Sequence, residues 1–279
     1  MIDKIKNYRE AVLDYLKQNN LHFPIESNNH KISNYNINYY KWKHPNQEDF
    51  FTHQKQEWVL KNIEGIKTLI KPNSNVLDIG AQAGNVAIMF SLFANKVISF
   101  EPNPAAYEVL EANSKLNSNI IPYNLACVKE DGPLTFHYSD PGLCNGGFAE
   151  ALNAGIGVTG HSFPLDVYGV NVTKFLKEYH PDFIKNISLV KIDAEGYDKD
   201  IIPTIKEILD TNKPILITEV YAGLNAKEID ELINAISKVN YVAYNEINYY
   251  SLYDKNKPVL SYRDVTLQEG TTNLICFPL

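Results

Sequence analysis

From residue 75 onward, short apolar runs alternate with longer amphipathic stretches. The runs "NVLDIG", "NKVISFEP", "NIIPYNLACV", "SLVKIDAEG" and "PILITEV" are almost continuously apolar, as strands buried on both faces must be. Between them, residues 84–93, 103–117, 171–179, 198–210 and 226–239 have the length and spacing of helices. This alternation predicts an α/β fold: a mostly parallel sheet with helices on both faces. The tail adds "YVAYNEI" and "TTNLICFPL" as closing strands, which makes the predicted sheet seven-stranded.

The first part of the chain has a different pattern. Ile5, Tyr8, Val12, Leu13 and Leu16 recur at helical spacing over residues 2–19. Residues 20–50 are rich in Asn and Tyr without helical period, which predicts irregular chain or a small hairpin. Trp58, Ile63, Ile66 and Ile70 predict a further helix that ends before Pro72. We therefore expect residues 1–73 to form a helical and aromatic cap segment and residues 74–279 the main domain.

Composition narrows the function classes. At 44% hydrophobic and 21% charged, the chain has ordinary globular values. A net charge of −7 argues against nucleic acid or an anionic membrane surface as partner, since both need a basic face. Cys127, Cys144 and Cys276 show no C-x-x-C spacing, so neither a disulfide framework nor a zinc site is expected. No run reaches membrane-spanning length and the first residues lack a signal-peptide core, so a cytoplasmic protein is expected. The N-x-S/T matches at Asn171 and Asn186 then carry no meaning.

The chemistry concentrates in "NVLDIGAQAGNVAIMF", where an apolar strand runs through Asp78 into Gly80 and Gly84. A strand, a glycine turn and a helix start let the backbone approach a ligand closely. A dinucleotide would call for G-x-G-x-x-G, but Gln82 stands at the middle glycine and the spacing is Gly80-x-x-x-Gly84. Asp78 would repel a pyrophosphate and attract a cation. S-adenosylmethionine matches that demand: it carries a sulfonium, an ammonium and one carboxylate for the turn's N–H groups. Glu101, ending "VISFE", lies where an acid accepts hydrogen bonds from a ribose diol, a role common to both nucleotide cofactors.

"VLDIGAQAGN", "VISFEPNP", "FPLDV", "LVKIDAEGYDKDIIPTI" and "PILITEV" follow one another in the order and spacing of the FkbM-type methyltransferases, which the chain resembles over residues 75–221. The resemblance implies a Rossmann-like class I methyltransferase fold, S-adenosylmethionine as cofactor, and methyl transfer to a hydroxyl oxygen. Gln82 replaces the Asn of the family's usual G-A-N-x-G turn, and Asp198 stands where Glu is frequent. The expected cofactor-binding set is Asp78, Gly80, Gln82, Gly84, Asn85, Glu101, Asn103 and Ala126.

On the acceptor side, the strand "LVKI" should deliver Asp193 and Glu195 at its carboxyl end, and Glu219 ends the next strand. With Asp198, Asp193 and Glu195 also suit the first turn of a helix, which acids cap and complement. His137 and His161 flank a glycine-rich stretch whose composition suits a loop over the site, and His161 is the better proton acceptor. Asp166 reads as family-typical or as a cap for the next helix. Asp193 and Glu219 alone are few ligands for a divalent ion. The expected catalytic set is therefore Asp193, Glu195, His161 and Glu219, with a side-chain base and no metal. Tyrosines number 18, including Tyr39, Tyr40, Tyr241, Tyr244, Tyr249, Tyr250 and Tyr253, and suit strands or a sugar-binding surface. The expected partner is a small-molecule or glycan acceptor. A nicotinamide-dependent oxidoreductase and a non-catalytic carbohydrate-binding module are the alternatives.

Overall fold

A computed structural model describes residues 24–43, 50–53, 56–138, 146–147, 163–246, 254–267 and 272–279, with single positions 14, 17, 18 and 250 besides. The helix predicted over residues 2–19 lies outside these, except that Asp14, Lys17 and Gln18 are helical.

The chain enters through an antiparallel hairpin, β1 (Ile25–Ile32) and β2 (Tyr35–Trp42). Alternation explains the facing of β2: Ile37 and Tyr39 are buried while Asn36 and Asn38 are exposed. A helical turn (Phe50–His53) and helix α1 (Gln56–Leu69) follow. Val59, Ile63 and Ile66 on α1 are fully buried, in one cluster with Val76 and Ile88 of the main sheet layer and with Ile37 and Tyr39 of the hairpin.

The main sheet holds β3 (Asn75–Ile79), β4 (Lys96–Phe100), β5 (Ile120–Tyr123), β10 (Ile187–Ile192), β11 (Ile215–Val220), β12 (Tyr241–Asn245), β13 (Pro258–Val259) and β14 (Thr272–Pro278). Their order is β13-β12-β14-β11-β10-β3-β4-β5. The neighbours β5, β4, β3, β10 and β11 are parallel, and β14 runs antiparallel between β11 and β12. All seven predicted strands are present. The eighth, β13, is two residues long, too short to leave a periodic signal.

Helices α2 (Asn85–Ser91), α3 (Pro104–Leu116), α4 (Val172–Tyr179), a composite of α5 (Asp198–Ile201), a 3₁₀ turn (Ile202–Ile205) and α6 (Lys206–Asn212), and α7 (Ala226–Lys238) lie where predicted. Asparagine side chains cap three of them: Asn103 opens α3, Asn171 opens α4 and Asn225 opens α7 with Glu228 in a capping box.

A second sheet was not predicted. Its order is β6-β9-β7-β8, from β6 (Ala126–Cys127), β7 (Gly132–Tyr138), β8 (Gly146–Gly147) and β9 (Phe163–Val170). The segment "FPLDV", read as a lead-in to a helix, is the body of β9, paired antiparallel to β7. Asp166 is accordingly no helix cap. It accepts a hydrogen bond from Thr135 Oγ1 across the ribbon at 3.1 Å, and Asn171 caps α4 instead.

Candidate functional site

The strand order reverses between β3 and β10: the chain runs outward through β4 and β5 on one side and through β11 on the other. Open α/β sheets bind ligands at such a switch point, beyond the carboxyl ends of the strands. The segments that leave β3 and β10 here are the glycine turn and the acidic stretch.

The two segments touch through their backbones. Asp193 N–H donates to Ile79 O at 3.0 Å. Gly80 has φ +79, and a Cβ on it would lie 1.7 Å from the carbonyl oxygen of Asp193. Residue 80 is glycine because another chain segment fills the side-chain space, besides its left-handed conformation. Gln82 (φ 51) and Glu195 (φ 51) adopt the same region without being glycine. Such backbone is uphill by about 1–3 kcal/mol and collects at functional sites.

Glu101 braces the turn. Its Oε2 accepts the Gln82 N–H at 2.8 Å and its Oε1 accepts the Asn103 N–H at 2.7 Å. Burial pushes its carboxyl up to about 7, against the pull of those two amides. Asn103 uses its side-chain oxygen on the Ala105 and Ala106 N–H groups, as the cap of α3. Asp78, fully buried in β3, accepts from Ser99 Oγ at 3.3 Å, and its Oδ1 has no partner. Burial raises its carboxyl to about 6, with the neighbouring Lys191 working to lower it. Gly84 precedes α2, and Asn85 is its first residue, half-buried. Ala126 is buried among Ala105, Val128, Phe136 and Val167. Asn124, absent from the predicted set, donates to the carbonyls of Glu101 and Pro102, both at 2.9 Å.

On the other side, Lys191 is buried in β10 and its Nζ lies 2.9 Å from Asp193 Oδ2. Burial alone would lower the ammonium, but Asp193 and Asp78 outweigh it and hold it above its ordinary value. Glu195, raised to about 8, and Glu219, raised well above the usual carboxylate range, owe this first to burial and then to the charge of Asp193. Asp198 ties the two strand ends together. Its Oδ1 accepts from Thr218 Oγ1 at 2.7 Å and Glu219 N–H at 3.1 Å, and its Oδ2 from Ala194 N–H at 3.0 Å. The capping account therefore does not describe Asp198, since α5 carries no side-chain cap bond.

Sequence reading missed Lys191, although a lysine inside a run buried on both faces demands a nearby acid, and Asp193 follows two residues later. Asp193, Glu195 and Glu219 come together as predicted by position. His161 lies outside the described residues, as do Tyr249, Tyr253 and the side chain of His137. Tyr39, Tyr241 and Tyr250 are buried, which removes them from any sugar-binding surface. Among the described residues no helix is long and apolar enough to cross a membrane.

An antiparallel strand between two others at the β11 edge departs from the strand order 3-2-1-4-5-6 of dinucleotide-binding sheets. The fold is that of the Rossmann-like class I methyltransferases. The model for the Methyltransferase FkbM domain matches residues 78–243, more than half of the chain. The chain belongs to the FkbM methyltransferase family.

It is 27% identical over 163 residues to the methyltransferase sdnD of Sordaria araneosa, a match that covers 48% of this chain and 61% of the relative. It thus spans under two thirds of that relative's length. Among solved structures, it is similar to the methyltransferase FkbM of Methylobacillus flagellatus (12% identity, 82% of this chain, 55% of that chain, TM-score 0.45). Another is SMU.1697c of Streptococcus mutans, solved in complex with SAH (13% identity, 81% of this chain, 100% of that chain, TM-score 0.45).

Membership of this methyltransferase family gives S-adenosylmethionine as the cofactor, and the residues fit it. A buried carboxylate oxygen without a partner, Asp78 Oδ1, suits a cationic ligand, and Glu101 holds the turn from the side where a ribose-binding acid is expected.

Proposed function

We propose that this chain transfers a methyl group from S-adenosylmethionine to a hydroxyl oxygen of a sugar, glycan precursor or secondary metabolite. The observation that carries the reading is the cluster of Asp193, Glu195 and Glu219 beside the glycine turn at the switch point. When bound, the cofactor supplies a methyl group activated by its sulfonium.

The chain's own residues do the rest. Glu101 accepts the ribose hydroxyls, Asp78 holds positive charge, and the turn from Gly80 through Gln82 and Gly84 to Asn85 presents backbone N–H groups to a carboxylate. Glu195 and Glu219 face the acceptor, where one of them takes the hydroxyl proton as the oxygen forms its bond to the methyl carbon. Burial raises both carboxyls, which makes their ionised forms stronger proton acceptors, and a positioned base contributes about 10²–10⁴-fold. Alignment contributes more, since effective molarities of well-oriented groups reach about 10⁵–10⁸ M. The Glu195 backbone lies at positive φ, and its carboxyl can come within 4.8 Å of that of Glu219.

We place the chain in the cytoplasm, where the buried free thiols of Cys127 and Cys276 would stay reduced. Incubation with methyl-labelled S-adenosylmethionine and fractionated cell extract, followed by mass spectrometry and NMR, tests the reading. A labelled methyl ether is expected. A label on nitrogen or carbon, or preferential thermal stabilisation by NAD over S-adenosylhomocysteine, overturns it.

A further inference from the structure

Three carboxyl groups converge where β10 and β11 end. Asp193, Glu195 and Glu219 can each present one oxygen so that all three atoms lie within 4.8 Å of one another. Sequence reading counted only Asp193 and Glu219. The structure adds Glu195, carried in by the left-handed turn at its own backbone.

Glu219 supplies an independent observation. It is 8% exposed, and its Oε2 is buried with no hydrogen-bond partner. The nearby donors are committed elsewhere: Thr218 Oγ1, the Glu219 N–H and the Ala194 N–H all go to Asp198, and Lys191 Nζ goes to Asp193. An unsatisfied buried acceptor destabilises a fold by about 1–3 kcal/mol, and by more when charged. Among the described residues no donor completes this oxygen.

Charge and ligand chemistry say what would complete it. Three carboxyl groups gather around one ammonium, that of Lys191, which already pairs with Asp193. An acceptor hydroxyl can donate one hydrogen bond but neutralises nothing. A donor set of carboxylate oxygens alone, without thiolate or imidazole, selects a hard cation.

We propose that Asp193, Glu195 and Glu219 bind one divalent cation of the Mg²⁺ or Mn²⁺ kind at the carboxyl ends of β10 and β11. Hard cations of this type take about six oxygen ligands, so three protein oxygens leave about three positions for water and the acceptor. Its role rests on the methyl-transfer reading above, whereas its binding does not. In that role the ion draws two oxygens of the acceptor to the strand ends, which favours acceptors with hydroxyls on adjacent carbons, as sugars have. Lys191 holds Asp193 in place beneath the ion.

Mn²⁺ titration of the full chain with S-adenosylhomocysteine present, followed by the paramagnetic resonance of free Mn²⁺, tests the site without an activity assay. One equivalent should bind, with a dissociation constant of about 10⁻⁴–10⁻³ M or tighter. Glu219→Gln and Asp193→Asn should each weaken binding at least about tenfold with circular dichroism unchanged, as expected when a charged partner worth about 1.5–3 kcal/mol is removed. Asp182→Asn, on the exposed surface, should bind as wild type. No saturable binding, or binding unchanged in both site variants, overturns the proposal.

Should either variant fail to fold, the wild type suffices. Saturating Mn²⁺ must broaden the resonance of bound ¹³C-methyl S-adenosylmethionine, and an unbroadened line overturns the proposal equally. If Mn²⁺ binds as described while every labelled product carries its methyl on nitrogen or carbon, the O-methylation reading falls and the cation site stands.

Discussion

Glu101→Ala tests more than a contact with a ribose. In the folded chain the Glu101 carboxylate accepts two backbone N–H groups, from Gln82 at 2.8 Å and Asn103 at 2.7 Å, in a residue that is 8% exposed. Gln82 sits at φ 51, a conformation that the bond to Glu101 helps to hold. Bonds to a charged acceptor are worth about 1.5–3 kcal/mol each. Water entering the vacated space replaces part of both, so the loss in the ligand-free protein should be nearer one such bond than two.

At about 2–4 °C per kcal/mol for chains of about 150–250 residues, the melting temperature should fall by several degrees. The ribose contacts come on top: losing them should weaken S-adenosylhomocysteine about 10–150-fold in isothermal calorimetry. Glu101→Gln keeps the shape but offers one acceptor oxygen, leaving one of the two amides opposite an NH₂ group, and should fall between wild type and Ala in both measurements. An unchanged dissociation constant in both variants would remove Glu101 from the cofactor site. An unchanged melting temperature in Glu101→Ala would show that the turn does not depend on it.

Two further predictions concern stability. Burial raises the carboxyls of Asp78 to about 6, Asp198 to about 6, Glu101 to about 7 and Glu195 to about 8, from ordinary values of 3.8 and 4.5. A raised acid binds its proton more tightly in the folded state, so its stabilisation is complete at low pH and is lost as pH rises through the folded value. His180, lowered by burial, works the other way but is one group against four. Urea denaturation of the ligand-free protein should show stability falling between about pH 5 and 8, and a rise across that window would refute the burial account.

Asn113→Ala is the second. Asn113 is fully buried in α3 and joins the hairpin to the glycine turn: its Oδ1 accepts the Tyr40 N–H at 2.5 Å, and its Nδ2 donates to Tyr40 O at 3.2 Å and Ala83 O at 2.7 Å. The change should destabilise the chain by about 1–3 kcal/mol, and a wild-type melting curve would contradict it.

The main sheet was legible because its strands are apolar on both faces and three of its helices open on asparagine caps. The hairpin at residues 25–42 was half-legible: Ile37 and Tyr39 mark its buried face, but its Asn-rich outer face dilutes the alternation. The β7–β9 ribbon was not legible, since Gly132 pairs with Gly169 and Tyr138 with Phe163 across a glycine-rich stretch, and no local period records so distant a partner. Asp78 and Glu101 could be placed from strand ends alone. The bond of Glu101 to Gln82 and Asn103, and the tie of Asp198 to Thr218, depend on how three loops meet, which spacing along one chain does not carry.

The approach of Gly80 to the carbonyl of Asp193 bears on how this fold can be re-engineered. The glycine turn and the acidic loop after β10 share a wall, so the turn has no room to shift if that loop is exchanged for one of different length. On the proposed function, acceptor preference should be altered by substitution at positions 195 and 219, while insertions or deletions between residues 192 and 196 should disturb the glycine turn that packs against Asp193. Loop grafting, the usual route to new substrates, is closed here on the β10 side, and point substitution is the route the backbone leaves open.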